Sequence, residues 1–162
     1  VIDMNSNYYY NNYERNISGE LISLNDAISL IKKSVSDEKE DELFYDTLMQ
    51  LAPTEKDKNI IMSIRNDEAK HNRILKDLFY YFTGQVLTPD YSTYDMKSNL
   101  SYNSGLEKAL FGELDAVVKY RKILGAMPNR YSYTLLMSIM TDELKHADKY
   151  NFLIIQANKN TQ

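Results

Sequence analysis

The sequence feature that most constrains the fold of this chain is an internal repeat. A shift of 75 positions aligns segment 38–71 with segment 113–146 without a gap. The aligned identities are Glu38 with Glu113, Tyr45 with Tyr120, Pro53 with Pro128, run 62–64 with run 137–139, and an Asp-Glu-x-Lys-His segment in each half. The two histidines of the chain therefore occupy equivalent positions. A duplication of this kind predicts two copies of one supersecondary unit packed against each other.

Apolar periodicity predicts that each copy is a helical hairpin. The chain has five Gly and three Pro in 162 residues, which disfavours a turn-rich all-β fold. Ser23 and Thr54 suit helix N-terminal caps, Gly84 suits a C-terminal cap, and Pro53 and Pro128 divide the two hairpins. Apolar residues recur at helical spacing in four segments. The predicted helices span about 24–52, 54–82, 104–127 and 129–157.

These elements predict one all-α domain, a four-helix bundle over residues 23–158. Residues 1–22 are rich in Asn and Tyr and predict a flexible tail or a strap over the domain surface. The connector at 83–102 is long enough to cross the bundle, although an up-down-up-down arrangement stays open. No signal-like or membrane-spanning run is present, so we expect a cytoplasmic protein without a membrane partner. The net charge of −4 disfavours nucleic-acid binding.

Each half of the repeat carries a Glu-x-x-His motif and one further glutamate. Residues three apart lie on one face of a helix, so Glu68 projects beside His71. Glu38 and Glu68 are each 15 positions from Pro53, which is about 22 Å of helix on either side of the turn. Glu38 therefore returns to the level of Glu68. The second half repeats this arrangement around Pro128.

Two such hairpins packed together gather four carboxylates and two imidazoles in the core. Unpaired buried carboxylates are costly, and divalent cations would compensate their charge. The predicted metal ligands are Glu38, Glu68, His71, Glu113, Glu143 and His146. Oxygen and imidazole ligands suit iron(II) or manganese(II), whereas zinc sites seldom use four carboxylates.

This ligand set resembles that of the ferritin-like di-iron carboxylate superfamily, and most of all rubrerythrin- and bacterioferritin-type proteins without a rubredoxin domain. Two single glutamates and two Glu-x-x-His motifs form the pattern of these sites. The resemblance implies a ferritin-like four-helix bundle built from two duplicated hairpins joined by a long crossover. It implies two iron ions, with manganese possible at one or both sites. Glu68 and Glu143 would bridge the ions, and Glu38 and Glu113 would be terminal ligands.

The resemblance also implies roles for residues beside the ligands. Asp67 and Asp142 would each accept the remaining ring N–H of the histidine in the opposite half. Tyr45 and Tyr120 would be catalytic tyrosines next to the centre, with simple core packing as the alternative.

One position departs from the family pattern. Rubrerythrins often carry a further carboxylate one turn after the third-helix glutamate, and this chain has Ala116 there. Asp41 or Glu42 in the first half would either supply an extra ligand oxygen or be a solvated acid, and we favour the solvated acid.

The function implied by the resemblance is a di-iron or Fe/Mn oxidoreductase that reacts with H2O2 or O2, as a peroxidase or ferroxidase. Cysteine is absent, so the chain lacks a rubredoxin-type iron site and needs an external electron donor. The alternatives are a non-enzymatic iron-binding or storage subunit of a ferritin-like assembly and a structural helical-bundle protein. We expect a homo-oligomer.

Overall fold

The computed structural model describes residues 21–36, 38–87 and 100–159, and it describes the side chains in these ranges except those of 36–42. All regular secondary structure in the described ranges is helical, which confirms the all-α prediction for them. The helices are α1 Leu24–Ser36, α2 Glu38–Leu51, α3 Glu55–Thr83, α4 Tyr102–Gly125 and α5 Arg130–Lys159. None of these helices is both long enough and apolar enough to cross a bilayer. The predicted tail lies outside the described residues except for Leu21 and Ile22.

The first predicted helix corresponds to two helices, not one. The prediction runs from 24 to 52, whereas α1 ends at Ser36 and α2 begins at Glu38. Asp37, between them, lies outside the described residues. The other three predictions differ from α3, α4 and α5 by one or two residues at each end, which is the ordinary uncertainty of helix boundaries.

Capping hydrogen bonds hold the helix ends. The Oγ of Ser23 accepts from the backbone N–H of Asp26 at 3.1 Å, and Asp26 accepts from the Ser23 N–H at 3.3 Å. Thr54 caps α3 in a similar way, by accepting the N–H three residues along. Gly84 ends α3 with a φ of 67°, and its N–H donates to the Tyr80 carbonyl at 2.8 Å. These are the caps that the sequence predicts.

Two apolar clusters form the core. The first core cluster contains Ala27, Ile31, Val35, Leu75, Leu78, Phe79, Tyr120, Ile123, Leu124, Leu136 and Ile139. The second core cluster contains Tyr45, Leu48, Ile61, Ile64, Leu106, Ala109, Tyr150 and Leu153. Both α3 and α4 pack against α1, α2 and α5, and the contact between α4 and α5 is the most extensive one in the described ranges.

The order of residues in the clusters gives the direction of each helix. Both α3 and α4 run from the second core cluster to the first, whereas α5 runs from the first to the second. The pair α1 and α2 has the same direction as α5. Helices α3 and α4 are therefore parallel, and α3 ends at the opposite end of the core from the start of α4. The polar segments of α3, α4 and α5 lie between the two clusters.

Candidate metal centre

The polar side chains between the two core clusters converge from three helices. Glu68 and His71 come from α3, Glu113 from α4, and Glu143 and His146 from α5. Ligand atoms of the three glutamates and of His146 all lie within 4.8 Å of one another. Metal–ligand bonds of about 2.1 Å allow ligand atoms to be up to about 4.2 Å apart around one ion. The cluster is therefore close to the size of a metal coordination shell.

Each histidine directs its Nδ1 atom at carboxylates from both halves of the repeat. The Nδ1 of His71 lies 3.4 Å from Glu68 Oε1 and 3.4 Å from Glu143 Oε1. The Nδ1 of His146 lies 3.0 Å from Glu68 Oε1, 3.4 Å from Glu143 Oε2 and 3.7 Å from Glu113 Oε2. The two ring centroids are 5.6 Å apart. Glu68 and Glu143 thus each contact both histidines.

The other ring nitrogen of each histidine faces an aspartate from the opposite half. The Nε2 of His71 lies 3.4 Å from Asp142 Oδ2, and the Nε2 of His146 lies 3.5 Å from Asp67 Oδ2. The structure therefore brings together the aspartate–histidine pairs that the resemblance implies. An aspartate in this position favours a proton on Nε2, which leaves the Nδ1 lone pair available to a metal.

The two lysines of the repeat donate hydrogen bonds to these aspartates. The sequence analysis did not predict this role. Lys70 donates to Asp67 Oδ1 at 2.7 Å, and Lys145 donates to Asp142 Oδ1 at 2.6 Å. Burial tends to raise the pKa of Asp142, but the hydrogen bonds from Lys145 and His71 outweigh it and lower that pKa. The signal was present in the sequence, because the repeat aligns Lys70 with Lys145.

The inner atoms of the site are buried and lack hydrogen-bond partners. Exposure is 3% for His71, 0% for His146 and 1% for Glu143. Among the described residues, Nδ1 of both histidines and Oε1 of Glu68 have no neighbour in hydrogen-bonding geometry, although carboxylate oxygens lie near both nitrogens. A buried polar atom without a partner costs about 1–3 kcal/mol. A metal ion would bind these lone pairs, so the donor set fits one.

Protons on the histidines balance the charge of the buried carboxylates. Burial tends to lower the pKa of His71, but Glu143 and Glu68 outweigh it and raise that pKa to about 10. Burial also tends to lower the pKa of His146, but Glu113, Glu143 and Glu68 outweigh burial and raise that pKa to about 12. Burial raises the pKa of Glu113 to about 8. Burial tends to raise the pKa of Glu143, but the neighbouring His146 and His71 outweigh burial and lower that pKa. A divalent cation would displace such protons.

Both predicted tyrosines lie next to the site. The hydroxyl of Tyr45 donates to Glu113 Oε1 at 3.4 Å. Tyr120 is buried and lines the same cavity as Glu113. Each tyrosine also belongs to a core cluster, so both contribute to packing. A catalytic role for them stays a prediction.

Three acidic residues named by the sequence fall in the part of α2 whose side chains are not described. Glu38 is the first residue of α2, and Asp41 and Glu42 follow within its first two turns. Their assignments as ligand, extra ligand or solvated acid stay predictions. Ala116 is described, and it lines a cavity beside Glu113.

That cavity has a volume of about 500 Å³. Glu68, His71, Glu113 and Glu143 form part of its wall, so it reaches the candidate metal centre. Glu68 is the most exposed of Glu68, Glu113 and Glu143, with 26% of its side chain accessible. The cavity therefore offers a small molecule a route to the carboxylates. Sequence reasoning missed it, because a cavity is defined by side chains from several helices.

The arrangement can bind metal through carboxylate oxygens and imidazole Nδ1 atoms in a buried site that is open on one side. No protein family, curated protein or solved structure matches this chain.

Proposed function

We propose that this chain is a di-metal carboxylate oxidoreductase that reduces peroxide or O2. The observation that carries the proposal is the contact of Glu68 and Glu143 with both histidines. A carboxylate shared by two imidazole ligands in this way is placed to bridge two ions. Iron suits this oxygen and imidazole donor set, and manganese is the alternative at one or both positions.

We propose in addition that the fold is a ferritin-like four-helix bundle, with α1 and α2 together forming its first helix. The support comes from the helix directions. In an up-down-up-down bundle the second and third helices are antiparallel, whereas α3 and α4 are parallel. A bundle with that order needs one long crossover between its second and third helices, as ferritin-like folds have.

The residues around the centre have separable tasks in this proposal. Asp67 and Asp142 orient the imidazoles. The hydroxyl of Tyr45 positions Glu113 by donating a hydrogen bond to its carboxylate. The first and second core clusters exclude water from the two sides of the polar layer that they cover. A lower dielectric there strengthens the electrostatic interactions between the side chains of the site. When bound, the metal pair would supply two electrons for cleavage of an O–O bond. The absence of cysteine means that an external donor must restore those electrons.

The deciding experiment is metal analysis of protein purified without oxygen, followed by stopped-flow mixing with H2O2 and with O2. We expect about two iron or manganese ions per chain and rapid oxidation of the reduced centre by one of the oxidants. Protein that contains no metal and takes up no Fe(II) would contradict the proposal and favour a structural helical bundle. Size-exclusion chromatography during iron loading tests the storage alternative, because a large shell with many irons per chain would contradict the enzyme.

A further inference from the structure

We infer that the cavity beside the metal centre binds an organic hydroperoxide, a substrate much larger than H2O2. This inference rests on the proposed peroxide reduction and names its substrate class. A cavity of about 500 Å³ lies in the range of small-molecule sites. Hydrogen peroxide has the volume of about two water molecules, roughly 60 Å³. The cavity therefore has room for an organic group attached to the peroxide.

The cavity extends well beyond the ligand carboxylates. Its lining residues on α3 run from Arg65 to Leu75, which corresponds to about 15 Å of helix. Glu68 and His71 lie between these limits. A substrate with its O–O group at the carboxylates would therefore have space for its organic part along the helix.

Three small residues on α4 line this space. Ala109, Gly112 and Ala116 line the cavity at successive turns of the helix. A Cβ atom added at Gly112 would meet no atom within 4 Å, so this position opens into free space. The side chain of Ala116 is a single methyl group, which occupies little of the space beside Glu113. The phenyl ring of Phe44 supplies an aromatic surface on another side.

Among the described residues, polar atoms of Asn72 and Ser34 in the cavity wall lack hydrogen-bond partners, and neither residue is a predicted metal ligand. Asn72 is 7% exposed, and its Oδ1 has no hydrogen-bond partner within the described residues. The hydroxyl of Ser34 is also buried without a partner there. An unsatisfied buried acceptor costs about 1–3 kcal/mol, which a ligand hydroxyl would remove by donating to it. A hydroperoxide and its product alcohol both carry such a hydroxyl.

The reaction is a two-electron reduction in which a hydroperoxide and two protons yield an alcohol and water. The O–O bond breaks, one oxygen stays on the organic group, and the other leaves as water. When bound, the reduced metal pair would supply the two electrons, and an external electron-transfer protein would restore them. No carbon–oxygen bond changes.

The kinetic test compares Gly112→Leu with Gly125→Leu, a control on the same helix. A Cβ at Gly125 also meets no atom within 4 Å, but this residue does not line the cavity. We expect Gly112→Leu to lower kcat/KM for cumene hydroperoxide about tenfold or more and to change that for H2O2 by less than about twofold. Gly125→Leu should alter neither value. Equal losses for both peroxides, or no loss for either, would overturn the inference.

A binding test separates this inference from the proposed function. Calorimetry with 2-phenyl-2-propanol, the product alcohol, requires no turnover. We expect it to bind metal-loaded wild-type protein, and Gly112→Leu and Asn72→Leu to weaken binding about tenfold. If no peroxide is reduced but the alcohol binds in this pattern, the proposed function fails and the binding site stands. Absence of alcohol binding to wild-type protein overturns the site itself.

Discussion

At the scale of single residues, each histidine is held between two kinds of carboxylate. Its Nε2 faces an aspartate that a lysine also contacts, and its Nδ1 faces glutamates buried between the core clusters. The Glu-x-x-His spacing predicts that glutamate and histidine share a helix face. It does not predict which ring nitrogen points inward, because that depends on the aspartate supplied by another helix.

Glu68 and Glu143 are expected to be indispensable for the dinuclear centre. Glu68→Ala or Glu143→Ala removes a carboxylate that contacts both histidines, so metal content should fall from about two ions per chain to one or fewer. Elemental analysis after anaerobic loading measures this. Glu107→Ala, at an exposed position on α4, is the matched control and should retain the wild-type content. Full metal content in both site variants would show that the ligand assignment is wrong.

Asp67 should act through the orientation of His146, without binding metal itself. Asp67→Ala removes the carboxylate near Nε2, and loss of such a partner lowers metal affinity about ten- to a hundredfold. Competition with a chelator of known affinity measures the change. Asp148→Ala, an exposed aspartate on α5, should leave the affinity unchanged. Equal affinities of wild-type and Asp67→Ala protein would contradict this role.

At the scale of helices, hydrogen-bonding side chains cap the first turns of α1, α3 and α4. Helix α4 starts two residues before the predicted position, because Ser101 and Ser104 cap it reciprocally at 3.2 and 3.1 Å. Apolar periodicity does not include such polar caps, so the prediction placed the start too late. Apolar periodicity also did not predict the boundary between α1 and α2. Ser36 and Asp37 there are residue types that favour helix caps.

Substitution of Gly84 by alanine should destabilise the protein through the backbone conformation alone. The Gly84 φ of 67° is left-handed, and an alanine in that region costs about 1–2 kcal/mol even though no atom crowds the new Cβ. Urea unfolding should show this loss of stability for Gly84→Ala. Gly125→Ala, which ends α4 without a positive φ, should be neutral or slightly stabilising. A stable Gly84→Ala protein would argue that the left-handed cap does not stabilise α3.

At the scale of the whole molecule, the site exists because two apolar clusters enclose a polar layer. Both core clusters take residues from α3, α4 and α5, on either side of the glutamates and histidines; α1 completes the first cluster and α2 the second. Burial in this layer tends to lower the pKa of His71, but the Glu143 and Glu68 carboxylates outweigh burial and raise that pKa to about 10. The charge balance of the layer is therefore coupled to pH and to metal.

The metal-free protein should lose stability as pH rises from about 7 to 10. The pKa of His71 is raised from 6.5 to about 10, so its contribution is complete below 6.5 and is lost as pH approaches 10. The pKa of Glu113 is raised from 4.5 to about 8, so the contribution of Glu113 to stability is also lost as pH rises toward 8. Thermal unfolding at several pH values measures this, and a Tm that rises over that interval would contradict it.

Metal binding at pH 7 should release protons, about two to three per chain, because these groups are protonated when the site is metal-free. Titration with Mn(II) in weakly buffered solution under anaerobic conditions measures that release, and metal affinity should increase with pH. Metal uptake without proton release would show that the site binds metal through other groups.

The sequence by itself determined the all-helical fold of the described ranges, the bounds of α3, α4 and α5 to within two residues, and the caps at Ser23, Thr54 and Gly84. Helical periodicity is a local property, and the 75-residue repeat places Glu68 and His71 in the same position of their unit as Glu143 and His146. Only the tertiary structure decided that α3 and α4 are parallel, that the Nδ1 atoms face the glutamates, and that a cavity opens beside Gly112. These properties depend on distances between residues about 70 or more positions apart and on the space that small side chains leave, which no local pattern encodes.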